Sequence, residues 1–483
     1  MNPWANSGSD LHLHLDLSGP GSIRAALVRA LRDAVRTGRL TPGTRLPPSR
    51  SFAADLGLAR NTVAAAYAEL VAEGWLTARQ GAGTRVARRA AVPPRAYPPA
   101  AAPRPELLRL ATAIDVSAFP RTAWIAATRR ALTAAPSEAF GYGDSRGRPE
   151  LRHALADYLA RARGVRTDPE RIVICSGFAG GLALLARVLK ASGARRAAVE
   201  SYGLAPHRDL FTAAGLRTLP LPVDEYGART DELSAAPDVR AALLTPAHQY
   251  PTGVTLHPDR RAAVIDWART TTGIVLEDDY DGEFRYDRQP VGALQGLAPD
   301  HVVYLGTSSK SLTPALRLAW MALPGHLLDK VLDAKGPMER HCSALDQLTL
   351  AEFITSGAYD RHVRAMRLRY RRRRDLLVAA LAPLTRRVPH IRLTGIAAGL
   401  HLVLRLPPGT ERPLVHAMAD DPQGRHLPLG VLRDFHHGPA GHTPGPADGA
   451  VVVGYGAPPE HAFTAALDAL CRTLDALTGT GRA

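Results

Sequence analysis

Lysine is nearly missing from this chain. Of its 60 basic residues only four are lysines, at 190, 310, 330 and 335, and arginine supplies the positive charge everywhere else. Cysteine is as scarce: Cys175, Cys342 and Cys471 lie far apart with no CxxC pair. That excludes a disulfide framework and a zinc knuckle, and it fits a reducing compartment. No run of eighteen apolar residues occurs, so no membrane-spanning helix is expected. The opening MNPWANSGSDLHLHLDL lacks the basic-then-apolar layout of a secretory leader, which predicts a cytoplasmic protein. His12 and His14 share one strand face there, but two histidines without further ligands make no metal site. Acidic residues fall short of basic ones, 45 against 60, leaving a net charge of +15 and a pI near 10.2. Such an excess points to a polyanionic partner, usually nucleic acid, although an arginine-rich coding bias gives the same total.

What is present is a long globular sequence, 46% apolar and 22% charged over 483 residues, enough for two to four domains. One stretch divides it. RRAAVPPRAYPPAAAPRP, residues 88–105, holds six prolines and no apolar period, and reads as an extended linker. Residues 1–87 suffice for one small domain. Residues 106–483 suit a large α/β unit, with a large lobe over about 150–360 and a small lobe from the C-terminal part joined by the N-terminal segment. Short β-branched runs (IVICSG, RAALLTPA, GIVLEDDY, VVYLGTSS) alternate there with helical patterns such as GRPELRHALADYLARAR. Such alternation implies crossover units on a mostly parallel sheet.

In the first domain, SIRAALVRALRDAVRT places Ile23, Leu27, Ala30, Leu31 and Ala34 on one helix face. A Pro- and Gly-punctuated loop follows, then a short helix ended at Gly57 and a longer one carrying Val63, Tyr67 and Leu70 inward. WLTARQGAGTRVA then reads as a hairpin wing. Helix, short helix, turn, longer helix and hairpin make a winged helix-turn-helix, mainly α with a β wing. Its third helix would enter the major groove with Arg60, Asn61 and Thr62 leading. The run GRLTPGTRLPPSRSFAADLGLARNTVAAAYAELVAEGWL resembles the GntR-type winged helix. That resemblance implies DNA contacts by Arg50, Arg60, Asn61 and Thr62, with Gln80 and Gly81 of the wing in the minor groove. Two departures stand out: Ala59 replaces the usual Ser or Thr helix cap, and Ala64 a polar reader.

In the second domain one lysine has a telling neighbourhood. A lysine amine, unlike a guanidinium, can lose its proton and attack a carbonyl carbon. Lys310 lies in VYLGTSSKSLTPALRLAW, flanked by Thr307 and Ser309, with Arg317 seven residues on. GIVLEDDYDGEF ends an apolar strand in carboxylates, including Asp278, and then Tyr280. SGFAGGLALLARVL is a glycine-rich turn opening a helix at Gly177, Phe178 and Ala179, able to offer backbone N–H groups to a phosphate. A Schiff-base lysine, a carboxylate for a pyridine nitrogen, a phenol and an anion cradle are what pyridoxal phosphate requires.

These elements, with FGYGDSRGRPELR and TPAHQYPTG, resemble the α/β fold type I aminotransferases. The two halves together resemble the MocR/GabR family of pyridoxal-phosphate-dependent regulators. The resemblance implies that Lys310 carries the cofactor as a Schiff base, that Asp278 pairs with the pyridinium and that Tyr280 bonds the 3-oxygen. It gives the phosphate to Thr307, Ser309 and Arg317, with Tyr142 reaching it across a head-to-tail homodimer interface. His248 and Gln249 fall near the position of an asparagine that many aminotransferases set beside the 3-oxygen. Leu204 falls near the usual ring-stacking aromatic. Phe178 and Ala179 leave the phosphate loop only backbone donors.

The family's carboxylate-gripping arginine is replaced by Gly456, Ala457 and Pro458. His207 and Arg208 are the remaining candidates for an effector contact. The expected protein is therefore a cofactor-dependent regulator of operator DNA that senses pyridoxal phosphate itself, an amino acid or an amine. The alternative is a working aminotransferase with a DNA-binding appendage. The basic helix YDRHVRAMRLRYRRRRDLL is expected to be a solvated face.

Overall fold

The computed structural model describes residues 21–79, 82–88, 114–286, 291–336, 342–419, 427–438 and 449–479. The wing residues Gln80 and Gly81, the linker from 89 to 105, and His12 and His14 lie outside the described residues. The chain divides into two compact units, residues 1–103 and 104–483.

In the first unit the helices Ile23–Arg36, Ser49–Asp55 and Arg60–Ala72 precede an antiparallel hairpin of Leu76–Arg79 with Gly83–Val86. Leu27, Leu31, Phe52, Val63, Tyr67, Leu70, Leu76 and Val86 close its core. Ile23 does not join them and is 58% exposed. It is the first helical residue, a full turn ahead of Leu27, so the core begins beyond it. Gly57 turns the chain between the second and third helices at φ +63°, a conformation open chiefly to glycine. The first helix is capped by Ser22, whose hydroxyl accepts from the Ala25 amide at 3.3 Å. Ala59 heads the third helix in the same extended conformation and caps nothing. Ala59→Ser should therefore raise this unit's unfolding free energy by about 0.5–2 kcal/mol, read as a higher urea midpoint.

The second unit is built on a seven-stranded sheet in the order Ile172–Ser176, Leu318–Ala322, Val302–Thr307, Ile274–Asp278, Val239–Leu244, Arg196–Glu200, Arg217–Leu221. Only Leu318–Ala322 runs antiparallel to its neighbours. Both faces are covered, which is why the strands read as continuous apolar runs. Ile172 and Ile174 enter one core with Leu151, Leu155 and Trp320. Val173 and Cys175 enter the opposite one with Leu182, Leu185 and Leu276. The small lobe is an antiparallel sheet of Arg392–Thr394, His401–Arg405, Ala450–Gly454 and Leu429–Val431, packed on the helices Ala358–Arg387 and Glu460–Gly479.

The helix Ala358–Arg387 corrects the expectation of a merely solvated basic face. Met366, Tyr370, Arg373, Leu377, Leu381 and Leu384 form its inward row at three- and four-residue steps. Arg373 is thus a core residue. It donates to Glu460 at 2.8 Å and to the Gly456 carbonyl at 3.1 Å, lies 3.5 Å from Asp115, and stacks over Phe463. Of the other arginines on that stretch, Arg361, Arg364, Arg367, Arg371 and Arg372 are exposed, and Arg369 and Arg374 are half-buried.

Candidate functional site

The C-terminal ends of the parallel strands converge on a cleft of about 270 Å³, where open α/β sheets place ligands. Glu200, Asp278 and Thr307 each end a strand there, and Lys310, Tyr280 and Arg317 line the same wall. Strand alternation sorts the carboxylates of EDDYD. Glu277 accepts from the Leu294 and Gln295 amides at 2.7 and 2.8 Å. Asp279 holds the buried Arg163 at 2.6 and 2.9 Å and accepts from the Tyr304 hydroxyl at 2.7 Å. Asp281 pairs with His248 at 2.8 Å. Asp278, on the cleft side, keeps a buried Oδ1 with no hydrogen-bond partner among the described residues. Burial, then Asp279, Asp281 and Glu200, push its carboxyl well above the usual range, while Lys310 opposes them.

Lys310 follows the strand Val302–Thr307. Burial of its amine, opposed by Asp281 and Asp278, pulls it down to about 8. At pH 7 roughly a tenth of the amine is then free, against well under a thousandth for an ordinary lysine. Attack on a carbonyl needs the free form. Carbonyl capture should therefore rise about tenfold per pH unit below pH 7 and level off above pH 8–9. Stopped-flow absorbance of cofactor-stripped protein checks this.

The opposite end of the cleft is built for an anion. Gly177, at φ +80°, precedes the helix Phe178–Ala191, whose first amides face outward without helical partners. The Arg317 guanidinium lies against Gly177 so closely that a Cβ there would come within 2.8 Å of it, and it donates to the Ser176 carbonyl at 2.8 Å. The Thr307 and Ser309 hydroxyls are linked at 2.9 Å on the same wall.

The structure also brings in residues the sequence left unassigned. Tyr250 lines the cleft, and its buried hydroxyl has no partner among the described residues. Gln249 does not face the cleft as a ring partner: its amide bridges Glu200, the Tyr202 and Tyr250 carbonyls and Thr252. Leu204 lines the cleft, and so does Tyr202, whose ring meets His436 edge-on. His207 packs on Phe178 at 4.8 Å and is pulled down to about 4 by burial, Lys310 and Arg208, so it is neutral at pH 7. Arg208 donates to the Gly203 carbonyl at 2.9 Å. Tyr142 is 97% exposed and lines a separate pocket with Arg148 and Cys342. In the first unit Arg50, Arg60 and Asn61 are exposed and Thr62 is partly buried, the last three opening the third helix.

Comparison with known proteins agrees with this geometry. The profile "Aminotransferase class I and II" matches residues 114–423, and "Bacterial regulatory proteins, gntR family" matches residues 23–86. The HTH-type pyridoxine biosynthesis transcriptional regulator PdxR of Corynebacterium glutamicum is 34% identical over 407 residues, covering 82% of this chain and 86% of its own. The probable rhizopine catabolism regulatory protein MocR of Rhizobium meliloti is 32% identical over 467 residues, covering 92% of each chain. The chain belongs to the MocR-type family. Among solved structures, an archaeal alanine:glyoxylate aminotransferase superposes with a TM-score of 0.65 at 24% identity, over 76% of this chain and 89% of that one, which fixes the fold type.

The aminotransferase half of a MocR-type chain implies pyridoxal phosphate, and the residues present fit it. The unpartnered Asp278 oxygen suits a pyridinium, the depressed Lys310 amine suits a carbonyl, and the Arg317–Gly177 helix terminus suits a phosphate. The GntR half implies DNA binding. Among the described residues no group of three His, Cys, Asp or Glu side chains could hold a metal, and no helix is long and apolar enough to cross a membrane.

Proposed function

We propose that this protein is a pyridoxal-phosphate-dependent regulator of transcription, acting from the cytoplasm as a head-to-tail homodimer, whose signal is the cofactor itself. The observation that carries the reading is the union, in one chain, of a groove-sized helix headed by exposed Arg60 and Asn61 with a cleft whose Asp278 and Lys310 await a carbonyl-bearing pyridine. When bound, pyridoxal phosphate supplies an electron-poor ring whose carbonyl condenses with amines.

The chain's own residues do the rest. Lys310 would hold the cofactor through its amine. Asp278, whose buried Oδ1 has no partner among the described residues, would pair with the protonated ring nitrogen, a cation that would offset the burial and neighbouring carboxylates that push its carboxyl up. Tyr280 donates toward the 3-oxygen. Gly177, Phe178 and Ala179 offer backbone amides to the phosphate, Thr307 and Ser309 hydroxyls, and Arg317 charge. Tyr142, exposed in one chain, would reach the partner's phosphate site in the head-to-tail dimer. Arg50, Arg60, Asn61 and Thr62 contact the operator, with Gln80 and Gly81 of the wing.

The cofactor is favoured as the signal because the arginine that would grip an amino-acid carboxylate is replaced at Gly456, Ala457 and Pro458. His207 is neutral and Arg208 alone remains to hold such a group, so full transamination is expected to be negligible. The name of the Corynebacterium relative, a pyridoxine biosynthesis regulator, supports the same signal. The test is operator affinity of cofactor-stripped protein, titrated with pyridoxal phosphate and then, at saturation, with amino acids and amines. Cofactor alone is expected to shift affinity or footprint. If it leaves both unchanged while an amine or amino acid moves them, the signal is misassigned; rapid multiple turnover would restore the enzyme reading. Arg60→Ala should weaken operator binding by about 1–3 kcal/mol and relax discrimination at one base, measured by titration against operator variants.

A further inference from the structure

One buried pair behind the cleft has no part in holding the cofactor directly. His248 is 3% exposed, and its Nδ1 lies 2.8 Å from Asp281 Oδ2 and 3.2 Å from the Tyr280 hydroxyl. Its Nε2 is buried with no partner among the described residues. The ring is clamped between two lobes. The His401 ring lies 4.9 Å away, and Gly399, at φ +71°, packs so close that a Cβ there would strike the imidazole and come within 2.6 Å of Asp281 Oδ2. Leaving a buried ring nitrogen unsatisfied is unfavourable, so the clamp points to a task at Nδ1.

The task follows from counting protons. A carboxylate only accepts, so Nδ1 carries the hydrogen and donates it to Asp281. Nδ1 then has no lone pair to offer Tyr280. Asp281 also hydrogen-bonds the phenol, but with its Oδ2 taken up by His248 its pull on the phenol's proton is weaker, which leaves that proton to the cleft that Tyr280 lines. We propose that His248 is a positioning residue: by occupying Asp281 it keeps the Tyr280 hydroxyl proton directed at the 3-oxygen of the bound cofactor. The proposal rests on the cofactor reading above.

The titratable groups around His248 are Asp278 at the end of the strand Ile274–Asp278, Tyr280 and Asp281 from the turn after it, Tyr250 on its own loop, Lys310 beyond the neighbouring strand, and His401 from the small lobe. Burial, then His248 itself, holds His401 well below its ordinary value, so it is neutral. Burial, then the charges of Asp281 and Asp278, Tyr250 and a hydrogen bond with Asp281, push the Tyr280 phenol well above its ordinary value, so it stays a donor.

The experiment is a pH titration of the absorbance of the bound cofactor in the full-length protein. A donor on the 3-oxygen stabilises its anionic form, so losing the donor raises the pH at which the band changes. In His248→Phe the phenol turns to Asp281, whose charge is also less balanced. Both effects raise the midpoint, together by about one pH unit, or tenfold in proton affinity. His248→Gln, which can still donate to Asp281, should restore the midpoint to within roughly 0.3 units. Tyr280→Phe should raise it as well, and adding His248→Phe to that variant should add less than half the single shift. His248→Leu asks the same question if phenylalanine does not fit beneath Gly399. A midpoint that is unchanged or lowered in His248→Phe, a glutamine variant no better than phenylalanine, or full additivity with Tyr280→Phe would overturn the proposal. Wild-type protein that takes up no cofactor would overturn the cofactor reading with it. A coloured wild type with an unmoved His248→Phe midpoint would overturn this inference alone.

Discussion

A Lys310→Ala variant is expected to fold, to bind operator DNA, and to carry no cofactor that borohydride can trap. No other lysine is placed to replace it. Lys335 is buried and donates to the Ser145 and Ile174 carbonyls at 2.5 and 2.8 Å, which commits its amine to holding loops together. Lys190 donates to the Gly215 carbonyl at the far end of the helix that Gly177 opens. Arginine cannot stand in either, since it keeps its proton at any workable pH. Mass spectrometry after reduction should therefore find one adduct, on Lys310, in the wild type and none in the variant. An adduct on Lys190, Lys330 or Lys335 would refute the assignment. Because Lys310 belongs to the second unit and the DNA-contacting residues to the first, operator binding by the cofactor-free variant should match that of stripped wild type, separating loss of the signal from loss of the reader.

The second large effect concerns stability. Arg373→Ala should destabilise the unit of residues 104–483 by about 3–5 kcal/mol, seen as a lower urea midpoint. The guanidinium is 1% exposed and neutralises Asp115, itself 2% exposed, while filling space over Phe463. Its removal leaves the buried Asp115 with only the more distant Arg369, at 3.7 Å, and a void in the small-lobe core. Asp115 keeps its bond from the Ser117 amide at 3.0 Å, and Glu460 is half exposed and can turn to water, so the lower end of the range is expected. Arg372→Ala, one position along and exposed, should change stability by less than about 0.5 kcal/mol.

The contrast between Arg372 and Arg373 shows where sequence reading stops. Helix, strand and turn were legible because their signals are local: the apolar period of IRAALVRALRDAVR, the β-branched runs IVICS and VVYLGT, and Gly57 after AAD. The arginine run was not. Its apolar row is interrupted by a charge whose partners, Asp115 and Glu460, lie 258 and 87 residues away. The site divides the same way. Asp278, Tyr280, Lys310 and Arg317 stand out by residue type and order, and the fold gathers them on one wall. Tyr250 and Glu200 went unassigned, since a tyrosine before a proline and a glutamate ending a strand have ordinary explanations. Only the crossing of separate strands turns them toward one cleft. His248 drew notice through its motif neighbours, but its work depends on Asp281 and on a glycine 151 residues downstream, a pairing no spacing announces.

The sorting of the acidic stretch carries one last consequence. Side chains on a strand alternate faces, so sliding the strand Ile274–Asp278 by a single position would present Glu277 or Asp279 to the cleft in place of Asp278. Either would offer a carboxylate of nearly the right kind at nearly the right spot, and local chemistry alone would not reject the error. The neighbours do. Glu277 is claimed by two backbone amides and Asp279 by a fork-shaped guanidinium, each matched in shape as well as charge. Arg163 and the amides of 294–295 thus act as a combination lock on strand alignment. Loosening them, by Arg163→Met for instance, would let misaligned copies accumulate during folding, proteins with the correct sequence and the wrong acid in the cleft.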